Sequence, residues 1–326
     1  MSLVEAIVAQ ELRKTYPHDV LALDGLSLRA EAGTIFALAG PNGAGKSTTV
    51  KILTTLSHPD SGEAQVAGID VLRHPDRVRQ CIGVVGQKTG ATPEATGREN
   101  LVMQGEIYGL TGRPLRQRIE ELLERFQLRD AADRSTKTYS GGMRRRLDVA
   151  LGLVNRPQVL FLDEPTTGLD PEARTELWQE IERLAGEEEM TILLTTHYLD
   201  EADRLADQLA IVDKGRIVAQ GTPEALKSEL RGDAIQVELA PASSTGQVQE
   251  ALRSLPGLSE VTLEGAIVRA RAEHGASAIP AVLNALDSEG ISVASVTLAR
   301  PSLDDVYLRY AGRSYQDDAN AGKAAA

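Results

Sequence analysis

Two glycine-rich segments of the chain could each bind a phosphate group. The first is GPNGAGKS, residues 40–47, between an apolar run and a stretch with helical periodicity. Backbone N–H groups in such a loop can point at phosphate oxygens, and the start of the following helix adds a partial positive charge. The second is TYSGGM, residues 138–143. A domain that binds one nucleotide needs only one such loop, so the second segment requires a separate explanation.

The first loop matches the pattern G-x-x-x-x-G-K-[ST], and it has the strand–loop–helix setting that this pattern requires. We expect Lys46 to reach the outer phosphates of a nucleotide and the Ser47 hydroxyl to bind Mg²⁺. The alternative is a glycine turn that binds nothing, which the flanking strand and helix disfavour. The residues that this pattern assigns to the nucleotide are Gly40, Pro41, Asn42, Gly43, Ala44, Gly45, Lys46, Ser47 and Thr48.

An acidic pair, Asp163 and Glu164, ends the apolar run in VLFLDEP, residues 159–165. Asp163 ends the predicted strand, where its carboxylate can hold Mg²⁺ through water. Glu164 lies one residue further on, at a position suited to orienting or deprotonating an attacking water. An Asp-Glu pair after a strand is by itself usually an exposed turn. Together with the phosphate loop, it predicts hydrolysis of a nucleoside triphosphate.

The elements that must position these residues are indicated by hydrophobic periodicity. Residues 158–165 and 190–197 are short, almost wholly apolar runs that end in polar residues, as buried parallel strands do. Residues 172–185 between them have helical periodicity, and the strand–helix–strand order favours an α/β fold with a parallel sheet. Short alternating runs in residues 4–39 predict further strands, and residues 95–127 predict helices.

The composition changes near residue 231, which predicts one domain at 1–230, an accessory α+β domain at 231–312 and a disordered tail at 313–326. The accessory domain is expected to have the ferredoxin-like order βαββαβ. Its predicted elements are a strand at 234–240, a helix at 247–255, strands at 259–264 and 266–272, a helix at 278–289 and a strand at 291–299.

From about residue 4 to residue 225, the chain resembles the ATP-binding subunit of ABC transporters, and the motifs occur in the family's order. The resemblance implies a P-loop ATPase fold with a helical subdomain at about 88–157. It also implies that ATP and Mg²⁺ bind and that ATP is hydrolysed.

Three further site residues are implied by the resemblance. Tyr16 matches an aromatic residue that stacks on adenine, Gln87 matches a glutamine that contacts Mg²⁺ and the attacking water, and His197 matches a histidine that contacts the γ-phosphate. Each type also has an ordinary structural explanation. A strand tyrosine can pack on a neighbour, a lone glutamine is usually exposed, and a histidine at a strand end is more often structural.

The resemblance also explains the second glycine-rich segment. Ser140, Gly141 and Gly142 match the family's signature, and Asp170 matches a loop that crosses between subunits. In this family two ATP domains face each other head to tail, and each nucleotide lies between one subunit's phosphate loop and the other's signature. The resemblance therefore implies a homodimer in which TYSGGM contacts the nucleotide of the partner.

The signature departs from the family's usual pattern at its flanks. Tyr139 stands in place of leucine and Met143 in place of glutamine. The serine hydroxyl and the glycine N–H groups that contact phosphate are kept, so the predicted function is unchanged. Gly86, before Gln87, is also unusual and is expected to loosen the loop that senses a membrane partner.

The chain resembles the detached ATPase subunit of a bacterial exporter, because it has one ATP domain and no apolar stretch near the ~18–20 residues that span a bilayer. Its closing segment PSLDDVYLRYAG, residues 301–312, resembles the daunorubicin-resistance ATPase family. We therefore expect a cytoplasmic protein that binds the inner face of the cell membrane through a separate permease. Its expected role is to power export of a drug, antibiotic or other amphipathic compound.

Two other classes are compatible with a phosphate loop. A soluble ABC ATPase that acts on ribosomes or DNA is the main alternative, but the net charge of −12 opposes direct nucleic-acid binding. The one basic triplet, residues 144–146, is at helical spacing and is expected to form a solvated face. A small-molecule kinase would leave the signature and His197 unexplained.

Overall fold

The computed structural model describes residues 4–230, 232–240, 248, 251–252, 255–272, 275–299 and 301–312. The chain divides into a large unit, made of the residues up to Pro223 and those from Tyr310 on, and a small unit at Glu224–Arg309. Among the helices in the described ranges, none is long and apolar enough to cross a membrane.

The large unit combines strands and helices, as the predicted α/β fold requires. Its strands are β1 (Glu5–Tyr16), β2 (Val20–Glu31), β3 (Ile35–Ala39), β4 (Ser61–Val66), β5 (Ile69–Asp70), β6 (Ile82–Val85), β7 (Val159–Asp163), β8 (Thr191–Thr196), β9 (Gln208–Asp213) and β10 (Arg216–Gly221). Its helices are α1 (Lys46–Leu53), α2 (Pro75–Cys81), α3 (Gly97–Ile107), α4 (Gly112–Arg125), α5 (Gly141–Gly152), α6 (Pro171–Glu188) and α7 (Leu199–Leu205), with 3₁₀ turns at Arg129–Ala131 and Thr136–Thr138; α8 (Pro223–Ser228) spans the division between the units.

A six-stranded sheet in the order β10-β9-β3-β8-β7-β6 forms the centre of this unit. Its strand pairs are parallel except for β10 with β9. Every residue of β3 and β8 is buried, which explains their continuous apolar sequences. Ala39 is in register with Thr196, and Asp163 with Thr195. The phosphate loop and the acidic pair therefore meet at one edge of the sheet.

A second, antiparallel sheet in the order β2-β1-β4-β5 shares the core of the large unit. Leu12 and Leu26 from this sheet and Phe36 and Phe161 from the parallel sheet are fully buried in one cluster. Burying side chains of this size contributes about 1.5–3 kcal/mol each to stability. The base of the site is therefore a packed core.

The small unit is built on an antiparallel sheet in the order β12-β13-β11-β14. Its elements are β11 (Asp233–Leu239), β12 (Leu258–Glu264), β13 (Ile267–Ala272), α9 (Gly275–Ser288), β14 (Val293–Ala299) and α10 (Leu303–Ala311). The helix predicted at 247–255 is described at four residues: Val248, Ala251 and Leu252 are helical, and residue 255 is not. The predicted tail at 313–326 lies outside the described residues. The second predicted helix, at 278–289, begins earlier, at Gly275. With these elements the order is the ferredoxin-like βαββαβ order.

Candidate active site

The phosphate loop connects β3 to α1 and depends on glycine at several positions. At Gly40 an added Cβ would lie 2.3 Å from the carbonyl oxygen of Val212, and at Gly45 it would lie 2.6 Å from that of Ala22. No side chain fits at either position without moving backbone. Gly43 has open space but a φ of 81°, which other residues rarely adopt. These constraints shape the loop as the sequence pattern predicts.

Lys46 follows this loop as the first residue of α1, and only 4% of its surface is exposed. Its Nζ donates hydrogen bonds to the carbonyl oxygens of Gly40 (2.6 Å) and Pro41 (3.0 Å). The Glu164 Oε1 atom is 3.9 Å from the same nitrogen. Burial lowers the pKa of Lys46, while the carboxylates of Glu164 and Asp163 oppose that change. The loop thus holds an ammonium group where a bound phosphate would find both the cation and the helix N-terminus.

A cleft of about 390 Å³ opens over the phosphate loop. Its lining residues are Tyr16, Val20, Leu21, Ala22, Asn42, Gly43, Gly45, Lys46, Ser47, Thr48, Gln87 and Glu164. One part of this lining is aromatic and aliphatic, and another part carries the lysine, hydroxyl and amide groups. The composition fits a nucleotide, since a base needs an apolar surface and a triphosphate needs N–H donors and a cation. Lys14 Nζ also lies 5.7 Å from the centre of the Tyr16 ring.

Oxygen-bearing side chains meet beside the start of α1. The Ser47 Oγ atom donates to Asp163 Oδ1 at 3.1 Å, and Gln87 Nε2 donates to Ser47 Oγ at 3.3 Å. Hard oxygen ligands of this kind suit Mg²⁺, which takes few ligands from a protein and the rest from water and phosphate. Within the described residues, no cluster of three His, Cys, Asp or Glu side chains could hold a metal alone. The residues present fit Mg²⁺ bound together with a nucleotide.

Glu164 begins the loop after β7 with an unusual backbone conformation, a φ of 48°. His197 Nδ1 lies 3.2 Å from its Oε2 atom, and Thr167 Oγ1 donates to that oxygen at 3.3 Å. Burial alone would raise the pKa of Glu164, but the proximity of His197, followed by that of Lys46 and Thr167, outweighs it and lowers the pKa, although His197 Nδ1 makes no hydrogen bond of good geometry. The carboxylate is therefore ionised at neutral pH and can accept a proton.

Replacing His197 with alanine is expected to raise the pKa of Glu164, which in the wild-type protein lies below the ordinary value of about 4.3. Burial remains as the strongest influence, and the strongest opposing one is lost. The wild-type carboxyl should titrate below that value. ¹³C-NMR titration of the side-chain carboxyls, with the Glu164→Gln counterpart of each protein to assign the signal, measures both midpoints. Equal midpoints with and without His197 would contradict the pairing.

One buried hydroxyl at this edge of the parallel sheet was not among the site residues predicted from the sequence. Thr195 is fully buried in β8, donates to Asp163 Oδ1 at 2.6 Å and accepts the Glu164 N–H at 3.0 Å. The sequence carried a signal for it, since a threonine inside an apolar strand must place its hydroxyl on a partner. The identity of that partner depends on strand pairing, which the local pattern does not contain.

The prediction that the basic triplet at residues 144–146 forms a solvated face is wrong for its middle residue, although Arg144 is exposed. Arg145 is only 8% exposed and donates to the carbonyl oxygens of Pro165 (2.6 Å) and Gly86 (2.7 Å). One turn later on α5, Asp148 Oδ1 accepts from Thr89 Oγ1 at 2.8 Å. Burial raises the pKa of Asp148 and lowers that of Arg145.

These contacts hold the segment around Gln87 at both ends. Arg145 binds the residue before Gln87, and Asp148 also accepts from the backbone N–H of Gly90 at 3.0 Å. Gly86, which was expected to loosen this loop, is therefore fixed through its carbonyl oxygen. Helix faces could not be assigned from three consecutive arginines, because successive residues point about 100° apart.

The signature residues lie elsewhere. Ser140 is the N-cap of α5, where its Oγ accepts the Met143 N–H at 3.2 Å, and Asp170 is the N-cap of α6. A Cβ added to Gly142 would lie 3.0 Å from the Cβ of Ala173, so the two helix N-termini are neighbours. Ser140, Gly141, Gly142 and Asp170 are all described, and none of them lines the cleft. The structure thus separates them from the residues around Lys46.

The unusual Tyr139 has a structural partner. Its ring is buried, and its hydroxyl donates to the Ala131 carbonyl oxygen at 2.7 Å. A Cβ added to Gly97 would lie 2.3 Å from that hydroxyl. Tyrosine at this position therefore fills space between α3 and the segment before α5, while the Ser140 side chain stays exposed.

Comparisons with known proteins identify the family of the chain. The family model described as "ABC transporter" matches residues 23–167, and the one described as "ATP-binding protein DrrA1-3-like, C-terminal domain" matches residues 221–311. The ATP-binding cassette MJ0796, solved as a dimer bound to ADP and Pi, has a TM-score of 0.61 and 25% identity, covering 66% of this chain and 98% of that one.

Curated relatives match along almost the full length. The daunorubicin resistance ATP-binding protein DrrA3 of Streptomyces coeruleorubidus is 46% identical over 94% of this chain and 96% of its own. The Nod factor export ATP-binding protein I of Ralstonia nicotianae is 38% identical over 94% of both chains. The linearmycin resistance ATP-binding protein LnrL of Bacillus subtilis is 33% identical over 95% and 99%. The chain therefore belongs to the ABC transporter family, among its ATP-hydrolysing, ATP-binding proteins related to drug resistance.

Proposed function

We propose that this protein is the ATPase subunit of an exporter, works as a head-to-tail homodimer, and powers a separate permease in the cell membrane. The observation that carries the proposal is the position of Ser140 and Asp170, which cap neighbouring helices outside the cleft that contains Lys46. A second copy of the chain would bring its own signature to that cleft and complete the site. The chain itself would then lie on the cytoplasmic face of the membrane.

Each residue of the site has a role in this proposal. The N–H groups of residues 40–48, together with Lys46, bind the phosphates of ATP, and Tyr16 stacks on the base. Ser47, Gln87 and Asp163 hold Mg²⁺, the last through water, and Mg²⁺ supplies positive charge to the phosphate oxygens. These assignments are supported by the convergence of the same side chains around Ser47 Oγ.

The residues of this chain supply the base for hydrolysis. Glu164 is ionised and close to both Lys46 and His197, so it can orient and deprotonate a water in the cleft. In this proposal His197, whose Nδ1 atom lies 3.2 Å from Glu164 Oε2, contacts the outer phosphate. Ser140, with the N–H groups that follow it, would do the same for the outer phosphate of the partner's ATP.

The class of cargo follows from the relatives. Proteins named for daunorubicin resistance, Nod factor export and linearmycin resistance all match along nearly the whole chain. We infer that the exporter driven by this protein carries a drug, antibiotic or other amphipathic compound, and that the contacts with this compound lie in the permease. Direct nucleic-acid binding is not part of the proposal, since the net charge is −12.

The full chain is expected to co-purify with an integral membrane protein encoded beside its gene, while a chain ending at Leu230 is expected to lose it. The truncation removes β11 to α10, and no residue of those elements lines the cleft. Because these elements contribute no residue to the cleft lining, ATP affinity of the truncated protein should stay within about twofold of that of the full chain. Detergent pull-down and equilibrium ATP binding on both proteins measure the two outcomes.

Two results would count against the proposal. Recovery of the full chain with ribosomes or DNA rather than with membranes would favour the soluble class of ABC ATPase. A large loss of ATP affinity in the truncated protein would show that residues 231–312 contribute to the nucleotide site. A full-length Lys46→Ala protein provides the control, because it should bind the membrane partner while binding ATP poorly.

A further inference from the structure

Thr195 is linked to both carboxylate residues of the site through a single hydroxyl. Its Oγ1 atom donates to Asp163 Oδ1 at 2.6 Å and accepts the backbone N–H of Glu164 at 3.0 Å. A hydroxyl has one hydrogen to donate and lone pairs to accept, and both capacities are in use here. The side chain is fully buried, so water does not compete for either bond.

The sheet explains why this residue makes both contacts. In the parallel pairing of β7 with β8, Thr195 is directly opposite Asp163, the last residue of β7. Paired residues place their side chains on the same face of a sheet, so this position on β8 faces the Asp163 carboxylate. Glu164 follows immediately and leaves the strand with a φ of 48°.

Neither partner depends on Thr195 for its only hydrogen bond. Asp163 Oδ1 also accepts from Ser47 Oγ at 3.1 Å, and the Glu164 N–H also reaches the Thr195 carbonyl oxygen at 3.1 Å. Loss of the hydroxyl would therefore leave no buried donor or acceptor unpaired, which is the usual reason for a large stability cost. What it removes is a second, charge-assisted bond that fixes the rotation of the Asp163 carboxylate.

We propose that Thr195 is a positioning residue for Mg²⁺: its hydroxyl orients Asp163 toward Ser47 and fixes the point at which the Glu164 backbone leaves the strand. The hydroxyl is fully buried and is used by Asp163 and the Glu164 N–H, so it is not available to a nucleotide. Its effect is exerted through Asp163 on the metal and through Glu164 on hydrolysis. Removing such supporting partners of metal ligands typically costs 10–100-fold in metal affinity or activity.

The test uses the isolated full chain, with a fluorescent, non-hydrolysable ATP analogue as the probe. Thr195→Val keeps the shape of the side chain and deletes the hydroxyl. We expect the affinity for the analogue in EDTA to stay within about twofold, and the Mg²⁺ concentration for half-maximal enhancement of binding to rise about tenfold. The value of kcat for ATP should fall about 10–100-fold. Thr195→Ser, which restores the hydroxyl, should bring the Mg²⁺ requirement back to within about twofold of wild type.

Thr191 provides the matched control. It is the first residue of the same strand, is 3% exposed, and accepts one backbone hydrogen bond from Gly33 at 3.0 Å. Thr191→Val should lower Tm at least as much as Thr195→Val, because it removes the acceptor of the Gly33 N–H, and should leave the Mg²⁺ requirement unchanged. The proposal is overturned if Thr195→Val keeps the wild-type Mg²⁺ requirement, if Thr195→Ser fails to restore it, or if Thr191→Val shifts it equally. An equal loss of affinity in EDTA would also overturn it, because that result indicates general distortion of the cleft.

The outcome is independent of transport. Binding of the analogue and of Mg²⁺ is measured on one purified chain without a membrane partner. The permease could be misassigned and the Mg²⁺ titration would still decide the role of Thr195. Conversely, failure of the titration leaves the co-purification experiment unaffected.

Discussion

Replacing Glu164 with glutamine is expected to lower kcat for ATP hydrolysis by about 10³-fold and to leave ATP binding nearly unchanged, since a positioned base contributes 10²–10⁴-fold. Glutamine keeps the size of the side chain and the contact with Thr167, but it cannot accept the proton of an attacking water. The nucleotide would then remain bound and intact. If two chains enclose it, ATP should hold the homodimer closed.

Lys46→Ala is expected to fail at an earlier step. Removing the ammonium takes away a charge-assisted phosphate contact, which corresponds to a loss of about 10–100-fold in ATP affinity. It also leaves Glu164 without a cation at 3.9 Å. The two variants therefore separate binding from hydrolysis: one binds without turnover, and the other binds poorly.

Size-exclusion chromatography with ATP and Mg²⁺, together with a steady-state ATPase assay, distinguishes these outcomes. Glu164→Gln should elute as a dimer with saturating ATP, and Lys46→Ala should remain monomeric. Glu94→Gln is the control for the charge change, since Glu94 is exposed and lies outside the cleft lining. A Glu164→Gln protein that stays monomeric at saturating ATP, or one that hydrolyses ATP at the wild-type rate, would refute the role given to Glu164.

The parts of the site that sequence alone predicts are those encoded by contiguous residues. The glycine loop, Lys46 and Ser47 follow one another along the chain, and their geometry is dictated by backbone conformations that only glycine tolerates at Gly40 and Gly45. The acidic pair is likewise marked by the end of an apolar strand. In both cases the local pattern contains the element and the functional group together.

The parts that sequence misses are those created by pairing between distant segments. Thr195 acts on Asp163 because β7 and β8 are in register, and the two residues are 32 positions apart. Arg145 reaches the Gly86 carbonyl oxygen across 59 positions. A charge triplet on a helix looks solvated in sequence, and only the packing of α5 against the strand ends shows which member is buried.

The small unit also has parts that local sequence predicts and parts that only packing determines. Alternating polarity predicts its strands, because each strand has one buried face, with Val237 and Val268 fully or almost fully inside. The closing segment, in contrast, carried no prediction of structure, and it forms α10 with Leu303 and Tyr307 buried. A short amphipathic segment becomes a helix when packing stabilises it, and such packing is not a local property.

The second large effect concerns the shared site. In the proposed dimer, each site combines Lys46 of one chain with Ser140 of the other. A pure Lys46→Ala dimer has two damaged sites, and so does a pure Ser140→Arg dimer, in which a long cation blocks the outer phosphate. In a mixed dimer one site carries both lesions and the other has neither, because a two-fold assembly exchanges equivalent surfaces.

Mixing the two proteins is therefore expected to restore trapped ATP. Both variants are made in the Glu164→Gln background, so that enclosed ATP is not hydrolysed. Random exchange makes about half of the dimers mixed, with one intact site each, and this predicts about 0.5 ATP trapped per dimer where each parent traps almost none. Trapped ATP is counted after rapid gel filtration, and differently tagged chains report the fraction of mixed dimers.

The control for this experiment is a mixture of Lys46→Ala with Lys46→Met, in which every site lacks the lysine and no rise is expected. Ser140 is also the N-cap of α5, and losing such a cap costs about 1 kcal/mol of stability. A Tm measurement on the Ser140→Arg protein must therefore show that this variant is folded. If mixed dimers form and trap no more ATP than the parents, Ser140 does not act across the interface. The glycine-rich segment at residues 138–143 would then be a helix cap whose resemblance to a phosphate loop has no function, and the proposed head-to-tail dimer would lose its main support.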